Sequence, residues 1–329
     1  MSYEILHGDC METLRTLPEQ SVHCCVTSPP YFGLRDYGRD GQLGMEKTPE
    51  EFVDALVRVF REVRRVLRDD GTVWLNLGDS YGAGKQLHGM PWRVAFALQS
   101  DGWYLRQDII WSKPNPMPES VRDRCTKAHE YVFLLSKGPR YYYDHESVKE
   151  PAAESSLARW AQDIDRQAGS DRQPGKTNGP MRAVGGPRST RDSFRRTESK
   201  RNAVIPGQRK GTHRSDRDEG KWDRAMRNRR SVWTVSTRPY KGAHFATFPP
   251  DLIAPCVLAG CPEGGTVLDP FGGSGTTAGV AMAHKRKAIL CELNADYAEL
   301  VEGRVAWVLS YYGIDPNAEE QLSLLEALA

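Results

Sequence analysis

The chain has 329 residues, a formal net charge of +2 and a hydrophobic share of 39%, which suffices for one large α/β domain or one domain with an inserted module. No stretch approaches the roughly 20 apolar residues of a membrane-spanning helix, and the N-terminus lacks the basic and apolar regions of a secretory signal. The seven cysteines are an odd number without the paired spacing of a zinc site. We therefore expect reduced thiols in a cytoplasmic protein.

The charge is unevenly distributed along the chain. Residues 151–243 contain 22 Lys and Arg against 10 Asp and Glu, whereas the remainder carries 23 basic and 33 acidic residues. This asymmetry is typical of a polyanion-binding module set into an ordinary enzyme body; a solvated basic loop is the alternative. Few aliphatic residues and no sustained period occur in residues 161–230, which favours an insertion that is rich in loops or that orders on binding.

The hydrophobic pattern predicts alternating strands and helices on both sides of the basic segment, residues 151–243. Strands are expected at residues 3–6, 22–27, 73–77, 103–111, 131–135, 266–268 and 288–291, and helices at residues 49–67, 92–98, 252–258, 276–283 and 295–309. The helix at 49–67 has the clearest start, with Thr48 as the N-cap, Pro49 at the first helical position and Glu51 completing a capping box. The alternation predicts a mostly parallel sheet covered on both faces.

Residues 266–277 have the pattern of a strand, a glycine-rich turn and the start of a helix. Gly272, Gly273 and Gly275 let the backbone approach a ligand closely, and the helix N–H groups favour a carboxylate or another anion. Glu292 closes the next strand, 23 residues after Asp269, where a carboxylate can accept hydrogen bonds from both hydroxyls of a ribose. Asp269 would repel a pyrophosphate but suits a cationic amino group, which points to the amino-acid end of S-adenosylmethionine.

A second loop, the tetrapeptide Ser28-Pro29-Pro30-Tyr31, follows a predicted strand and is expected at the carboxyl edge of the sheet. Because proline has no N–H, this loop offers mainly acceptors. The Ser28 side chain and the Pro29 carbonyl can accept both hydrogens of an amino group, and Tyr31 offers a ring on which an extruded base can stack. A plain Pro-Pro turn with a buried tyrosine is the alternative interpretation of the tetrapeptide alone.

Together the two loops resemble those of the amino-directed DNA methyltransferases, which carry an (Asp/Asn/Ser)-Pro-Pro-(Tyr/Phe/Trp) catalytic loop and an Asp-Pro-Phe-x-Gly-x-Gly cofactor loop. The tetrapeptide comes first here, which is similar to the circularly permuted order of the β group. The resemblance covers nearly all of residues 3–310 except the basic segment. It implies a Rossmann-like fold with a mostly parallel seven-stranded sheet, S-adenosyl-L-methionine as cofactor, double-stranded DNA as substrate, and a homodimer.

The change of composition near residue 151, taken with the resemblance, divides the chain, and the resemblance assigns its residues. Residues 1–150 become the catalytic half, 151–243 the target-recognition region, 244–310 the cofactor-binding half and 311–329 a tail. Segments 111–118 and 126–130 resemble family segments beside the target-base pocket. The implied cofactor contacts are Asp9, Phe248, Pro249, Asp269, Phe271, Gly272, Gly273, Gly275, Thr276 and Glu292; the implied catalytic residues are Ser28, Pro29, Pro30 and Tyr31. Nothing in the sequence requires a metal.

Serine in the tetrapeptide is usual among cytosine-N4 members of the family and aspartate among adenine-N6 members, so cytosine-N4 is favoured and adenine-N6 stays open. A cytosine-C5 enzyme needs a cysteine nucleophile. Pro255-Cys256 lies in an apolar run, where a buried structural cysteine is the better interpretation. Two interpretations from other classes remain: a non-catalytic DNA-binding regulator with this fold, and a methyltransferase that acts on RNA or protein.

Further residues are predicted on weaker patterns. Phosphates or guanine edges of DNA are expected to contact Arg195, Arg196, Arg201, Arg209, Lys210, Arg227, Arg229 and Arg230. Residues 321–325, Gln-Leu-Ser-Leu-Leu, resemble the pentapeptide by which bacterial replication proteins bind the sliding clamp; an amphipathic helix is the alternative. Some polar residues near strand ends are candidates for a role in the site, and for each of them a structural role is the alternative. They are His7, Asn76, Asp79, His129 and Glu130.

Overall fold

The computed structural model describes residues 2–36, 38–39, 41–161, 225–238 and 247–316. Two compact units are present, Met1–Val148 with Arg230–Ala329, and Lys149–Arg229. The first unit contains, in chain order, β1 (Tyr3–His7), α1 (Cys10–Thr16), β2 (Val22–Thr27), α2 (Pro49–Val66), β3 (Leu67–Leu77), a 3₁₀ turn (Ala83–Lys85), α3 (Met90–Ser100), β4 (Tyr104–Ser112) and β5 (His129–Ser136). The second unit contains β6 (Glu150–Pro151), α4 (Glu154–Ala161) and β7 (Met226–Arg227). The chain then adds to the first unit β8 (Val232–Thr234), α5 (Pro250–Gly260), β9 (Thr266–Asp269), α6 (Thr276–Ala283), β10 (Lys287–Glu292), α7 (Ala295–Ala298) and α8 (Val301–Tyr311).

Eight strands of the first unit form one sheet in the order β1-β10-β9-β2-β3-β5-β4-β8. Strand β5 is antiparallel to β3 and β4, and all other neighbours in this sheet are parallel. The predicted alternation of strands and helices is therefore confirmed. The sheet has one strand more than the seven expected, because the three residues of β8 pair with the end of β4. A strand this short leaves no periodic signal, and it returns the chain to the first unit before the expected boundary at residue 243.

Both faces of the sheet are covered by helices. Along β3, Val73 and Leu75 belong to one buried cluster with α1, α2 and α3, whereas the intervening Trp74 belongs to a second cluster with α5, α6 and α8. Side chains of a strand alternate between its faces, so one apolar run supplies both layers. Among the described residues no helix is long and apolar enough to cross a membrane. All seven cysteines are free thiols, and six of them are buried.

Two helical predictions need correction. Helix α1 was missed because its seven residues are too few for a recognisable period; Asp9 caps it by accepting a hydrogen bond from the N–H of Met11 at 2.8 Å. The single helix expected at residues 295–309 is instead α7 followed by α8. At the junction the N–H of Leu300 bonds the carbonyl of Tyr297 at 3.0 Å. Such a tight i to i−3 bond ends a helix without changing its hydrophobic pattern.

A buried carboxylate ties together the ends of two neighbouring strands. Asp269, which ends β9, is 1% exposed. Its Oδ1 accepts hydrogen bonds from the Thr27 hydroxyl at the end of β2 (2.6 Å) and from the N–H of Phe271 (3.1 Å). Its Oδ2 accepts from the hydroxyl of Thr277 in α6 (2.6 Å). Ser28 follows Thr27 directly, so this one side chain fixes the tetrapeptide relative to the glycine-rich loop.

The charge of Asp269 gives the protein a distinctive pH response. Burial raises the pKa of Asp269 to about 6, although its three hydrogen bonds favour the charged form. Between about pH 4 and about pH 6 the folded protein therefore holds a proton that the unfolded chain has released. Relative to Asp269→Asn, the free energy of unfolding of the wild type should fall across this range by up to about 1.4 kcal/mol per pH unit and stay constant above it. Urea unfolding from pH 4 to 7.5 measures this difference; a pH-independent difference contradicts the assignment.

Helices α6 and α8 give a matched pair of stability variants. A Cβ added to Gly279 in α6 would lie 2.6 Å from the Cβ of Val308 in α8, whereas one added to exposed Gly303 in α8 meets nothing within 4 Å. We expect Gly279→Ala to destabilise the protein by about 1–2 kcal/mol, because strain outweighs improved helix propensity. Gly303→Ala should stabilise it by about 0.5–1 kcal/mol. Denaturant unfolding measures the change in the free energy of unfolding for each variant. Changes of the same sign in both variants would refute the close helix contact.

Candidate active site

The two loops that the sequence singles out open into one cavity of about 650 Å³ at the carboxyl edge of the sheet. The elements explain this meeting, since β2, β9 and β10 are parallel neighbours whose ends lie side by side. Of the predicted catalytic and cofactor residues, the cavity is lined by Asp9, Ser28, Pro29, Pro30, Tyr31, Phe248, Asp269, Phe271, Gly272, Gly273, Thr276 and Glu292. Tertiary structure thus brings together residues from five separate stretches of the chain.

Two predicted cofactor residues do not line this cavity. Pro249 is the N-cap residue of α5 and is buried. Gly275 is the N-cap residue of α6, with φ at 92°, and a Cβ added to it would lie 2.6 Å from the side chain of Val301. Both positions are set by helix starts, and Gly275 also by close contact with Val301, so each supports the loop; their expected contact with the cofactor stays a prediction.

Asp269 has structural hydrogen bonds besides the cofactor contact expected of it. It borders the cavity, but its two oxygens already accept three hydrogen bonds from the protein. The sequence suggested a direct contact with a cationic amino group. The buried carboxylate is a structural tie between Thr27 and Thr277. A carboxylate has about four acceptor sites, so the expected contact with an amino group stays a prediction.

Glu292 holds the glycine-rich loop against the end of β10. Its Oε2 accepts a hydrogen bond from the N–H of Gly273 (2.7 Å), and its Oε1 accepts from the N–H of Asn294 (2.8 Å). Burial raises the pKa of Glu292, and these two N–H donors act in the opposite direction. Arg39, in the segment after the tetrapeptide, donates to Asn294 Oδ1 at 2.8 Å and to Asp296 at 2.9 Å. The cofactor edge of the cavity is thereby joined to the segment that follows Tyr31.

A hydrogen-bond network that the sequence did not predict as a unit surrounds Tyr31. The Tyr31 hydroxyl donates to Glu130 Oε2 at 2.7 Å and accepts from the Asn76 amide at 2.7 Å. The same amide lies 3.0 Å from Glu130 Oε2 and 3.3 Å from Ser28 Oγ. Ser28 Oγ is 3.4 Å from the Tyr31 hydroxyl. Glu130 also forms an ion pair with Lys113, whose Nζ lies over the Trp111 ring.

Partial signals for this network are present in the sequence. Asn76 and Glu130 stand near predicted strand ends, and both line the cavity. Lys113 was missed as an individual residue, although it lies in the 111–118 segment and directly follows β4 at the same edge. The Tyr31 ring also lies directly against Gly78, since a Cβ there would be 2.5 Å from ring atom Cε2. Only the pairing of β3, β4 and β5 brings these residues to Tyr31.

The other polar residues noted near strand ends have structural surroundings. Asp79 Oδ1 accepts hydrogen bonds from the N–H groups of Ser80 (3.0 Å) and Met90 (3.1 Å), which fixes the start of α3. His129 contacts the Tyr131 ring edge-on. Neither these residues nor His7 line the cavity.

Only three of the predicted DNA contacts lie in the described part of the chain. Arg227 pairs with Glu150 at 2.9 Å within the second unit, so its charge is already balanced there. Arg229 ends the second unit and Arg230 begins the next segment of the first unit. Outside the described residues lie Arg195, Arg196, Arg201, Arg209 and Lys210, and also the clamp-like segment 321–325.

The cavity has the donor and acceptor set that S-adenosylmethionine requires. Gly272 lies so close to β10 that an added Cβ would be 2.8 Å from Leu290, so only glycine leaves the loop in this position. Ser274 Oγ is buried and has no hydrogen-bond partner among the described residues, which leaves a donor at the loop for a carboxylate. The Glu292 carboxylate suits ribose hydroxyls. These residues fit the cofactor.

Comparison with known proteins agrees with this geometry. A DNA methylase model of the N6/N4 methyltransferase family matches residues 22–303. The type II methyltransferase M.SmaI of Serratia marcescens is 40% identical over 92% of this chain and 91% of its own length. M.Cfr9I of Citrobacter freundii, also a type II methyltransferase, is 39% identical over 92% of this chain and 87% of its own length.

Solved structures share the fold. The cytosine-N4-specific PvuII DNA methyltransferase superposes with a TM-score of 0.62, at 19% identity over 97% of this chain and 96% of its own. A Thermus thermophilus protein in complex with S-adenosyl-L-methionine superposes with a TM-score of 0.57, at 23% identity over 94% of this chain and 96% of its own. The α/β sheet, the glycine-rich loop and the tetrapeptide are thus those of an S-adenosylmethionine-dependent DNA methyltransferase, and the chain belongs to the amino-directed (N6/N4) DNA methyltransferase family.

Proposed function

We propose that this protein transfers a methyl group from S-adenosyl-L-methionine to the N4 amino group of a cytosine extruded from double-stranded DNA. The observation that carries the proposal is the single cavity shared by Ser28, Tyr31 and Glu292. Serine at the head of the tetrapeptide favours cytosine, and the PvuII enzyme with the same fold is cytosine-N4-specific. Adenine-N6 transfer is the alternative. The type II relatives suggest a modification role beside a restriction endonuclease.

S-adenosylmethionine supplies a methyl group that its sulfonium charge already activates, so the protein contributes mainly proximity and alignment. We assign Glu292 to the ribose hydroxyls and Asp9 to the adenine end. Phe248 forms an apolar wall, and the loop around Gly273 and Ser274 holds the methionine carboxylate. These assignments rest on the position of each residue at the cavity.

The charge of Glu130 sets the direction of the hydrogen bonds that reach Ser28. An ionised carboxylate only accepts, so the Tyr31 hydroxyl must donate its single hydrogen to Glu130. The Tyr31 oxygen then accepts from the Ser28 hydroxyl and from Asn76. Ser28 Oγ, with its hydrogen directed at Tyr31 and one lone pair facing Asn76, retains one lone pair. We assign that lone pair to a hydrogen of the target amino group.

The Pro29 carbonyl is assigned to the second amino hydrogen, because neither Pro29 nor Pro30 has an N–H that would compete for it. With both hydrogens held, the lone pair of the amino nitrogen points at the methyl group. The Tyr31 ring, supported by Gly78, is assigned to stacking on the extruded base. The methyl group would pass directly to this nitrogen as its bond to sulfur breaks, leaving neutral S-adenosylhomocysteine and releasing one amino hydrogen as a proton, without a covalent enzyme intermediate.

Target recognition is assigned to the basic segment, residues 151–243, whose excess of 12 positive charges suits DNA phosphates. The balance of the Arg227 charge by Glu150 makes this arginine a weaker candidate for phosphate contact than the other seven basic residues named. Its assigned role is to hold β7 beside β6, the pair of strands that Glu150 and Arg227 both belong to.

The first test identifies the product. Purified protein, S-adenosylmethionine and mixed-sequence plasmid DNA are incubated, and the DNA is digested to nucleosides for mass spectrometry. N4-methylcytosine is expected, and Ser28→Ala should bind the cofactor normally but lose activity by roughly 100-fold, because an acceptor for the amino group is gone. N6-methyladenine would replace the base assignment. Tight DNA binding without any methylated base would favour the regulator, and full activity of Ser28→Ala would refute its role.

The second test concerns the direction of the hydrogen-bond chain. Glu130→Gln replaces an obligate acceptor by an amide that can donate, so we expect kcat to fall about 10-fold, or about 1.4 kcal/mol, with KM and cofactor affinity little changed. In a Tyr31→Phe background, which keeps the ring but removes the hydroxyl, the same change should have almost no further effect.

Glu119→Gln provides the control for this cycle, since Glu119 pairs with Arg124 rather than with the network; its kcat should equal that of the wild type. Additive losses in the Tyr31→Phe, Glu130→Gln double variant would show that Glu130 acts independently of the Tyr31 hydroxyl. Steady-state methylation kinetics and cofactor titration are measured for the wild type, for each single variant and for the double variant.

A further inference from the structure

An apolar side chain projects into solvent at the edge of the cavity. Met117 is 85% exposed, more than any other large hydrophobic side chain recorded for the described residues, and it lines the cavity that contains Ser28 and Tyr31. Leu34, which follows the tetrapeptide, lines the same cavity and is 55% exposed. Water opposes such exposure, so an apolar group held outside at a ligand site indicates a surface that is covered when the ligand binds.

The segment that carries Met117 is stiff and braced at its base. Asn115 and Thr237 exchange three hydrogen bonds, of 2.9, 3.1 and 3.3 Å. The N–H of Lys113 bonds the carbonyl of Ala128 at 2.8 Å. Prolines occupy positions 114, 116 and 118, and because proline fixes its own φ angle, few backbone conformations are open to the tip.

The side chain at this tip is adaptable although its backbone is not. Methionine is unbranched and polarizable, so it fills irregular gaps and makes favourable contacts with aromatic rings. Apolar side chains of this kind enter the base stack of DNA in proteins that unstack or kink it. A braced loop with an apolar tip at the mouth of a base pocket has the construction that such insertion requires.

We propose that Met117 is a wedge that enters the DNA base stack and occupies the space left by the target base. The wedge compensates for lost stacking and slows the return of the base, which holds it in the cavity near Ser28 and Tyr31. Met117 does not touch the reacting atoms, so it is a positioning residue. This inference rests on the proposed function, in which the target base is extruded from a duplex.

The test compares two DNA duplexes that carry the sequence methylated in the plasmid experiment. In one the target base is paired, and in the other it lies opposite an abasic site, which removes pairing and part of the barrier to extrusion. With the paired duplex, Met117→Ala should lower kcat/KM at least 10-fold; with the unpaired target the loss should be less than 2-fold. Met117→Leu, which keeps an apolar tip, should retain most of the activity on both duplexes.

Met45→Ala is the matched control, because Met45 is 51% exposed and does not line the cavity; its kcat/KM should be unchanged on both duplexes. A second readout is the fluorescence of 2-aminopurine at the target position, whose increase on binding should be smaller for Met117→Ala. An equal loss on both duplexes, or no loss on either, overturns the wedge while the proposed function stands. Failure of the wild type to methylate either duplex overturns the proposed function, and the wedge with it.

Discussion

The contact on which this site depends is the buried carboxylate of Asp269. It lies between β9 and β2, neighbours in the sheet, and its oxygens are shared among Thr27, Phe271 and Thr277. A buried charge is unfavourable unless it is well hydrogen-bonded, and here three donors offset much of the desolvation. This arrangement fixes a distance: one rigid side chain sets the separation between Ser28, which follows Thr27, and the glycine-rich loop. Ser28 is where the amino-group chemistry is proposed.

A second charge organises the opposite side of the cavity. Glu130, paired with Lys113, is an obligate acceptor. It therefore fixes the direction of the hydrogen bond from the Tyr31 hydroxyl, and through it the direction of the bond from Ser28. Hydroxyl groups can donate or accept, so without a fixed end the polarity of such a chain would be undetermined. The carboxylate supplies that end. A methyl transfer whose electrophile is already activated needs this kind of alignment more than acid or base strength.

The edges of the cavity combine braced backbone with exposed side chains. Asn115 is hydrogen-bonded to Thr237, Arg39 joins the segment after the tetrapeptide to Asn294, and Gly78 supports the Tyr31 ring. A site that must receive a large flexible substrate benefits from this division, because the frame keeps its geometry while a few tips adapt. It follows that residues far from the proposed chemistry contribute to it through position alone.

The sequence by itself determined the two loops, the alternation of strands and helices and the family, because each is encoded in adjacent residues: tight turns need particular glycines and prolines, and buried faces need periodic apolar residues. Short elements such as β8 and α1 carried too little periodicity to be seen. Only the tertiary structure decided that Glu130 meets Tyr31, 99 residues away, and that Asp269 turns inward to Thr27, 242 residues away. Strand order decides such contacts, and in a parallel sheet that order depends on how distant segments pair, which no local pattern specifies.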